Sequence, residues 1–103
     1  MNEPVFTEYE GKPVIVLNPD TDYPFRFGLY KAKKAVEHYH SIIAHFHTYL
    51  NKAALQNAKK NNVKPKLYSI SLGDYGEWEL GYYKCLGIIE NIEAIKSFVN
   101  KYA

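Results

Sequence analysis

GLYKAKKAVEHYHSIIAHFHTYL, residues 28–50, and GYYKCLGIIENIEAIKSFVNKYA, residues 81–103, are the two stretches that decide the fold. They align without gaps at an offset of 53, with Gly28/Gly81, Tyr30/Tyr83, Lys31/Lys84, Glu37/Glu90, Ile42/Ile95 and Tyr49/Tyr102 identical. Val36/Ile89 and Phe46/Val99 are similar, and one gap extends the match to Asp22-Tyr23 and Asp74-Tyr75. Both stretches carry apolar residues at helical spacing. Leu29, Ala32, Val36, Tyr39, Ile43, Phe46, Leu50 and Ala53 predict a long helix from about Leu29 to Lys60. Cys85, Ile88, Ile92, Ile95, Val99 and Tyr102 predict a second one, ending near Tyr102. Self-similarity at a fixed period marks a repeated supersecondary unit.

Upstream of each helix the pattern changes to that of strands. Val5–Tyr9, Pro13–Leu17 (PVIVL) and Tyr23–Phe27 (YPFRF) precede the first helix, and Leu67–Leu72 (LYSISL) and Glu77–Leu80 (EWEL) precede the second. Glu10-Gly11-Lys12, Asn18–Asp22 and Gly73–Gly76 supply the turns. The expected fold is therefore α+β, one domain over residues 1–103 built from two strand-hairpin-helix units, 13–60 and 66–103. Side by side, the units predict an antiparallel sheet of four to five strands with both helices on one face and a pseudo-twofold axis between them. The turns do not dictate how the two hairpins meet.

A helix over residues 29–60 would be roughly 45–50 Å long, against about 26 Å for the body of a domain of this size. It must break, with Asn51 the expected place, or project and find a partner for its apolar seam. Val14 and Val16 point the same way: they match Ser69 and Ser71 in the second hairpin, so they belong to a sheet face that should meet solvent. Gly87 lies inside a helix, where glycine costs about 1 kcal/mol relative to alanine, which predicts close helix approach. Val14, Val16, Tyr39, Phe46, Leu50 and Gly87 are thus the candidate interface residues, and a twofold homodimer is the expected assembly.

Charge is unevenly placed. Net charge is −4 over residues 1–24, +8 over 25–66 and −2 over 67–103. Arg26, Lys31, Lys33 and Lys34 gather where the first helix begins, and Lys52 and Lys59 lie further along it. Cations at a helix N-terminus oppose the macrodipole and suit an anion, so these six residues are candidate nucleic-acid contacts, with tyrosines nearby to stack on bases. Compensation by the acidic flanks is the competing explanation.

No catalytic motif, cofactor loop or metal site is visible. His38, His40, His45 and His47 contain no pair spaced three or four residues apart, so no two can share an ion on one helix face. Glu77 and Glu79 flank Trp78 on a strand, and a cross-strand pair with Arg26 is expected in preference to acid–base work. Cys85 occupies a core seam; being the lone cysteine it forms no internal disulfide, which fits a reducing, cytoplasmic setting. No secretory signal and no membrane span are expected. The predicted function is a non-enzymatic, self-associating interaction module without cofactor, the alternative being nucleic-acid binding.

Overall fold

The computed structural model describes residues 3–22, 24–50 and 67–103, and of Tyr49 and Leu50 the backbone alone. Strands β1 (Val5–Tyr9) and β2 (Lys12–Leu17) are joined by Glu10 and Gly11, whose φ angles of 53° and 77° are both positive. A link of that kind twists as the flanking strands do, and glycine takes its left-handed position without steric cost. β2 pairs onward with β3 (Phe25–Gly28), giving an antiparallel sheet in the order β1-β2-β3. β4 (Tyr68–Ser71) and β5 (Glu77–Leu80) form a second antiparallel sheet, their connection containing one 3-10 turn at Gly73–Tyr75.

The five strands therefore lie in two sheets, where the sequence predicts one. The sheets meet through rings and not through a backbone ladder. Trp78 of β5 sits 6.0 Å from Phe25 and 5.4 Å from Phe27 of β3, centroid to centroid.

Each of the two expected helices is likewise a pair within the described residues: α1 (Leu29–Glu37) and α2 (Tyr39–Leu50), then α3 (Tyr82–Glu90) and α4 (Ile92–Tyr102). The breaks fall at His38 (φ −97°, ψ 9°) and Asn91 (φ −115°, ψ 21°). Both residues sit in the bridge region between helix and strand. Neither break needs proline, because one residue closes the first helix and opens the next. His38 N–H donates to Lys34 C=O and its own carbonyl accepts from Ile42 N–H; Asn91 does the same with Gly87 and Ile95. The Asn91 side chain also donates to Gly87 C=O, at 2.7 Å. The first helix thus breaks well before Asn51, which itself lies outside the described residues.

The offset of 53 reaches further than the sequence match. It relates the break at His38 to that at Asn91, and the caps Gly28 and Gly81, which share φ −88° with ψ −172° and −167°. It also carries the pairs Ile15↔Phe27, Val16↔Arg26 and Leu17↔Phe25 onto Tyr68↔Leu80, Ser69↔Glu79 and Ile70↔Trp78. No gap is required in the hairpins. Val14 accordingly corresponds to Leu67 and Val16 to Ser69, a shift of two residues from the sequence-based match.

α1 packs against α4 and α2 against α3, so each half lays its first helix on the other half's second. Ile15, Leu17 and Phe27 of one sheet and Ile70, Trp78 and Leu80 of the other close over Ala32, Ala35, Ile42, Cys85, Ile88, Ile95 and Phe98 in one buried core. Within the described residues the long apolar seam is thus broken at His38; on it Ala32 and Phe46 are buried, and Leu29, Val36, Tyr39 and Ile43 are half-buried.

Candidate interaction surface

The two sheets bury similar inner faces and present different outer ones. On β4–β5 the outward side chains are Ser69, Ser71, Glu77 and Glu79, all exposed, with a Ser69 Oγ donor to Glu77 Oε2 at 2.7 Å. That is an ordinary solvated sheet face. On β1–β3 the outward positions are Val5, Thr7 and Tyr9, then Val14 and Val16, then Arg26 and Gly28. Val5 is 46% exposed and Tyr9 69% exposed, while Val14 and Val16 are half-buried by their neighbours on the sheet. Thr7, Tyr9, Val14, Val16, Arg26 and Gly28 line a shallow hollow of about 380 Å³. Glu8 borders the hollow from β1 and Arg26 from β3, and Lys12 shares the outward side of β2 with Val14 and Val16. Among the described residues Arg26 has no carboxylate partner. The expected pair between Arg26 and Glu77 or Glu79 does not form, because the two sit on different sheets.

The remaining interface candidates are used internally. Phe46 is buried, its ring 5.2 Å from Tyr82. Tyr39 is half-buried beneath Lys96 Nζ, 5.9 Å from the ring centroid. Gly87 is buried against Leu17, Phe25 and Asn18. A Cβ there would meet its nearest neighbour at 3.8 Å, ordinary van der Waals contact, so packing does not demand glycine. The Leu50 side chain lies outside the described atoms.

The basic candidates do not form one surface. Arg26 is on the outer sheet face, whereas Lys31 sits over Trp78 at 5.4 Å. Lys34 sits over Tyr30 at 5.7 Å and reaches Glu37 at 3.7 Å. Lys33 is exposed, and Lys52 and Lys59 lie outside the described residues. The lysine at the corresponding place in the second half, Lys84, covers Phe25 at 5.5 Å. Lys31 on Trp78 and Lys84 on Phe25 are thus reciprocal contacts across the two halves.

His38 Nδ1 lies 3.0 Å from the Tyr68 hydroxyl, and the His45 ring packs 5.5 Å from the same tyrosine. Among the described residues no three His, Cys, Asp or Glu side chains gather closely enough to hold a metal ion. Burial pushes the Cys85 thiol up to about 11, so it stays protonated and unreactive at neutral pH. No helix among the described residues is long and apolar enough to cross a membrane.

A sequence reading built on helix seams passes over Tyr9, Tyr30 and Tyr75. Tyr30 is 50% exposed and Tyr75 83% exposed, and their rings meet edge to face at 6.2 Å. The signal available was the high tyrosine content combined with the position of Tyr30 off the apolar seam. No family model matches the chain, and neither a curated protein nor a solved structure does.

Proposed function

We propose that the chain is a non-enzymatic interaction module that pairs with a second copy of itself through the outer face of the β1–β3 sheet. The observation that carries this is the contrast at one matched position, Val16 where the other hairpin shows Ser69, with Val14 and Val5 beside it; Leu67, which matches Val14, is itself apolar and exposed. A twofold axis through β2 would lay valine on valine. By the strand register, an axis along β2 would also set Val5 of one copy over the aliphatic stem of Arg26 of the other.

Size sets the strength. Three strands about 4.8 Å apart and five residues long make a patch of roughly 250 Å², against about 800 Å² per partner in a standard interface. The pairing is therefore weak, in the micromolar range or above. The same view treats the domain as a duplicated strand-hairpin-helix-pair unit, supported by the shared breaks, caps and hairpin register at one offset and by the crossed helix packing. Nucleic-acid binding draws less support, because Lys31 and Lys34 are held on rings and Arg26 faces another way.

Sedimentation equilibrium from about 10 µM to about 1 mM tests the pairing. The mass is expected to rise from monomer toward dimer, and the double substitution Val14→Ser with Val16→Ser should hold it at monomer. A wild-type chain that stays monomeric throughout, or a double variant that dimerises equally well, overturns the reading.

A further inference from the structure

Beside the valine face, and sharing Tyr9 and Val14 with it, lies a groove. Two hollows, of about 540 and about 520 Å³, share Gly28 and Tyr30. Tyr75 and Leu72 wall the first, Tyr9 and Leu29 the second, and Tyr30 stands between as a rib. Three largely exposed tyrosines therefore line one trough. Tyr30 is held by the edge of Tyr75 and by Lys34 Nζ above its ring, so it is presented and not loose. Gly28 leaves the floor bare.

Charge decides between occupants. The first hollow carries one cation, Lys31, and one carboxylate, Glu77; the second carries Lys12 and Glu10. Each compartment is electroneutral. A polyanionic strand needs net positive walls, because phosphate neutralisation supplies most of its affinity. An uncharged extended peptide needs none. A polyproline II segment has flat rings to lay on tyrosine faces, is ordered before binding, and leaves its backbone carbonyls without internal partners. Phenol hydroxyls at the rim are donors for those carbonyls.

We propose that the groove around Tyr30, between Tyr9 and Tyr75, binds proline-rich peptide segments in the polyproline II conformation. The site adds a second kind of partner to the self-pairing: its second hollow shares Tyr9 and Val14 with the valine face, while its first, around Tyr75, shares only Gly28 with that face.

Fluorescence anisotropy with three labelled probes tests it: a proline decamer, a glycine–serine decamer and a ten-nucleotide oligothymidine. The proline peptide is expected to bind with an affinity unchanged between about 50 and about 500 mM salt. Tyr30→Ala and Tyr75→Ala should each weaken it by about tenfold, and Tyr30→Phe, which keeps the ring and loses one donor, by about threefold. Trp78, the chain's single tryptophan, is buried beneath Lys31, which lines the first hollow, and its emission should shift on binding. No binding of the proline peptide at about 1 mM, equal binding of the glycine–serine peptide, or indifference to both alanine substitutions overturns the proposal. So does salt-sensitive binding of the oligonucleotide in place of the peptide. Val16→Ser, a position outside both hollows, should weaken self-pairing and leave peptide binding intact, so this result and the dimer result fail independently.

Discussion

The two hairpins share one inner scheme and differ on every other side. Inward, Ile15, Leu17, Phe25 and Phe27 stand where Tyr68, Ile70, Trp78 and Leu80 stand, all apolar or aromatic. Outward, Val16 stands where Ser69 does and Arg26 where Glu79 does. The first hairpin also gains β1 at its edge, and Phe6 on that strand meets Phe98 at 5.3 Å and Tyr102 at 6.4 Å. The residues matching Phe98 and Tyr102 in the first half are His45 and Tyr49. Inner positions answer to the same crossed helix packing in both halves, so they stay alike. Outer positions answer only to what lies beyond the sheet, so they diverge where the halves have different neighbours.

The largest expected effect tests that unequal edge. Phe98 is fully buried and touches the rings of Phe6 and Tyr102, while its counterpart His45 is only half-buried. Phe98→Ala should cost about 3–5 kcal/mol, much of the stability of a domain this size, and His45→Ala about 1 kcal/mol or less. Urea midpoints measure both. Equal losses would show that β1 does not set the halves apart.

A second test uses Cys85 and its counterpart Ala32, both fully buried. Burial raises the Cys85 thiol from its ordinary 9.0 to about 11. The unfolded chain then loses this proton first, so the contribution is complete below pH 9 and declines as pH rises toward 11. Wild-type stability should fall relative to Cys85→Ala by about 2 kcal/mol by pH 11. A constant difference between the two proteins from pH 8 to 11 would mean that the thiol ionises in the folded state as it does in the unfolded one.

Gly87 and its counterpart Lys34 pose a third question: whether the second half needs glycine. A methyl group at position 87 meets nothing closer than 3.8 Å, and alanine is the better helix former. Gly87→Ala should raise stability by about 0.5–1 kcal/mol. A loss would show that α3 approaches Leu17 and Phe25 too closely to admit a methyl group.

Much of this was legible in the chain itself. The α+β class follows from periodicity and turn residues, because those are local signals. Two features were not. His38 and Asn91 break their helices without proline or glycine, through backbone angles that tertiary packing imposes. The division into two sheets depends on Trp78 meeting Phe25 and Phe27, contacts between residues about fifty apart in sequence that no local pattern encodes. The same distance hid the tyrosine groove, since Tyr9, Tyr30 and Tyr75 come from three separate segments. Val14 and Val16 were visible as apolar residues on a face that alternation leaves outward; that their counterparts are Leu67 and Ser69 became readable only through strand register.

The smallest effect is the most specific to the offset of 53. Lys31 lies over Trp78 of the second half, and Lys84 over Phe25 of the first, at 5.4 and 5.5 Å. The two contacts exchange under the offset that relates the halves, yet their strengths should differ. The indole face is the richest ring for a cation, and Lys31 is half-buried whereas Lys84 is exposed. Lys31→Met removes the charge and keeps most of the stem's packing. A double-mutant cycle of Lys31→Met with Trp78→Phe should give a coupling of about 0.5–1 kcal/mol, and the cycle of Lys84→Met with Phe25→Leu about half that or less. Trp78 emission should change with Lys31→Met and not with Lys84→Met, which separates loss of the cation from general loosening. Equal couplings would make the two halves energetic equals at their junction. A null coupling at both would leave the reciprocity as geometry alone, with the aromatic trio of Phe25, Phe27 and Trp78 joining the sheets by packing without help from charge.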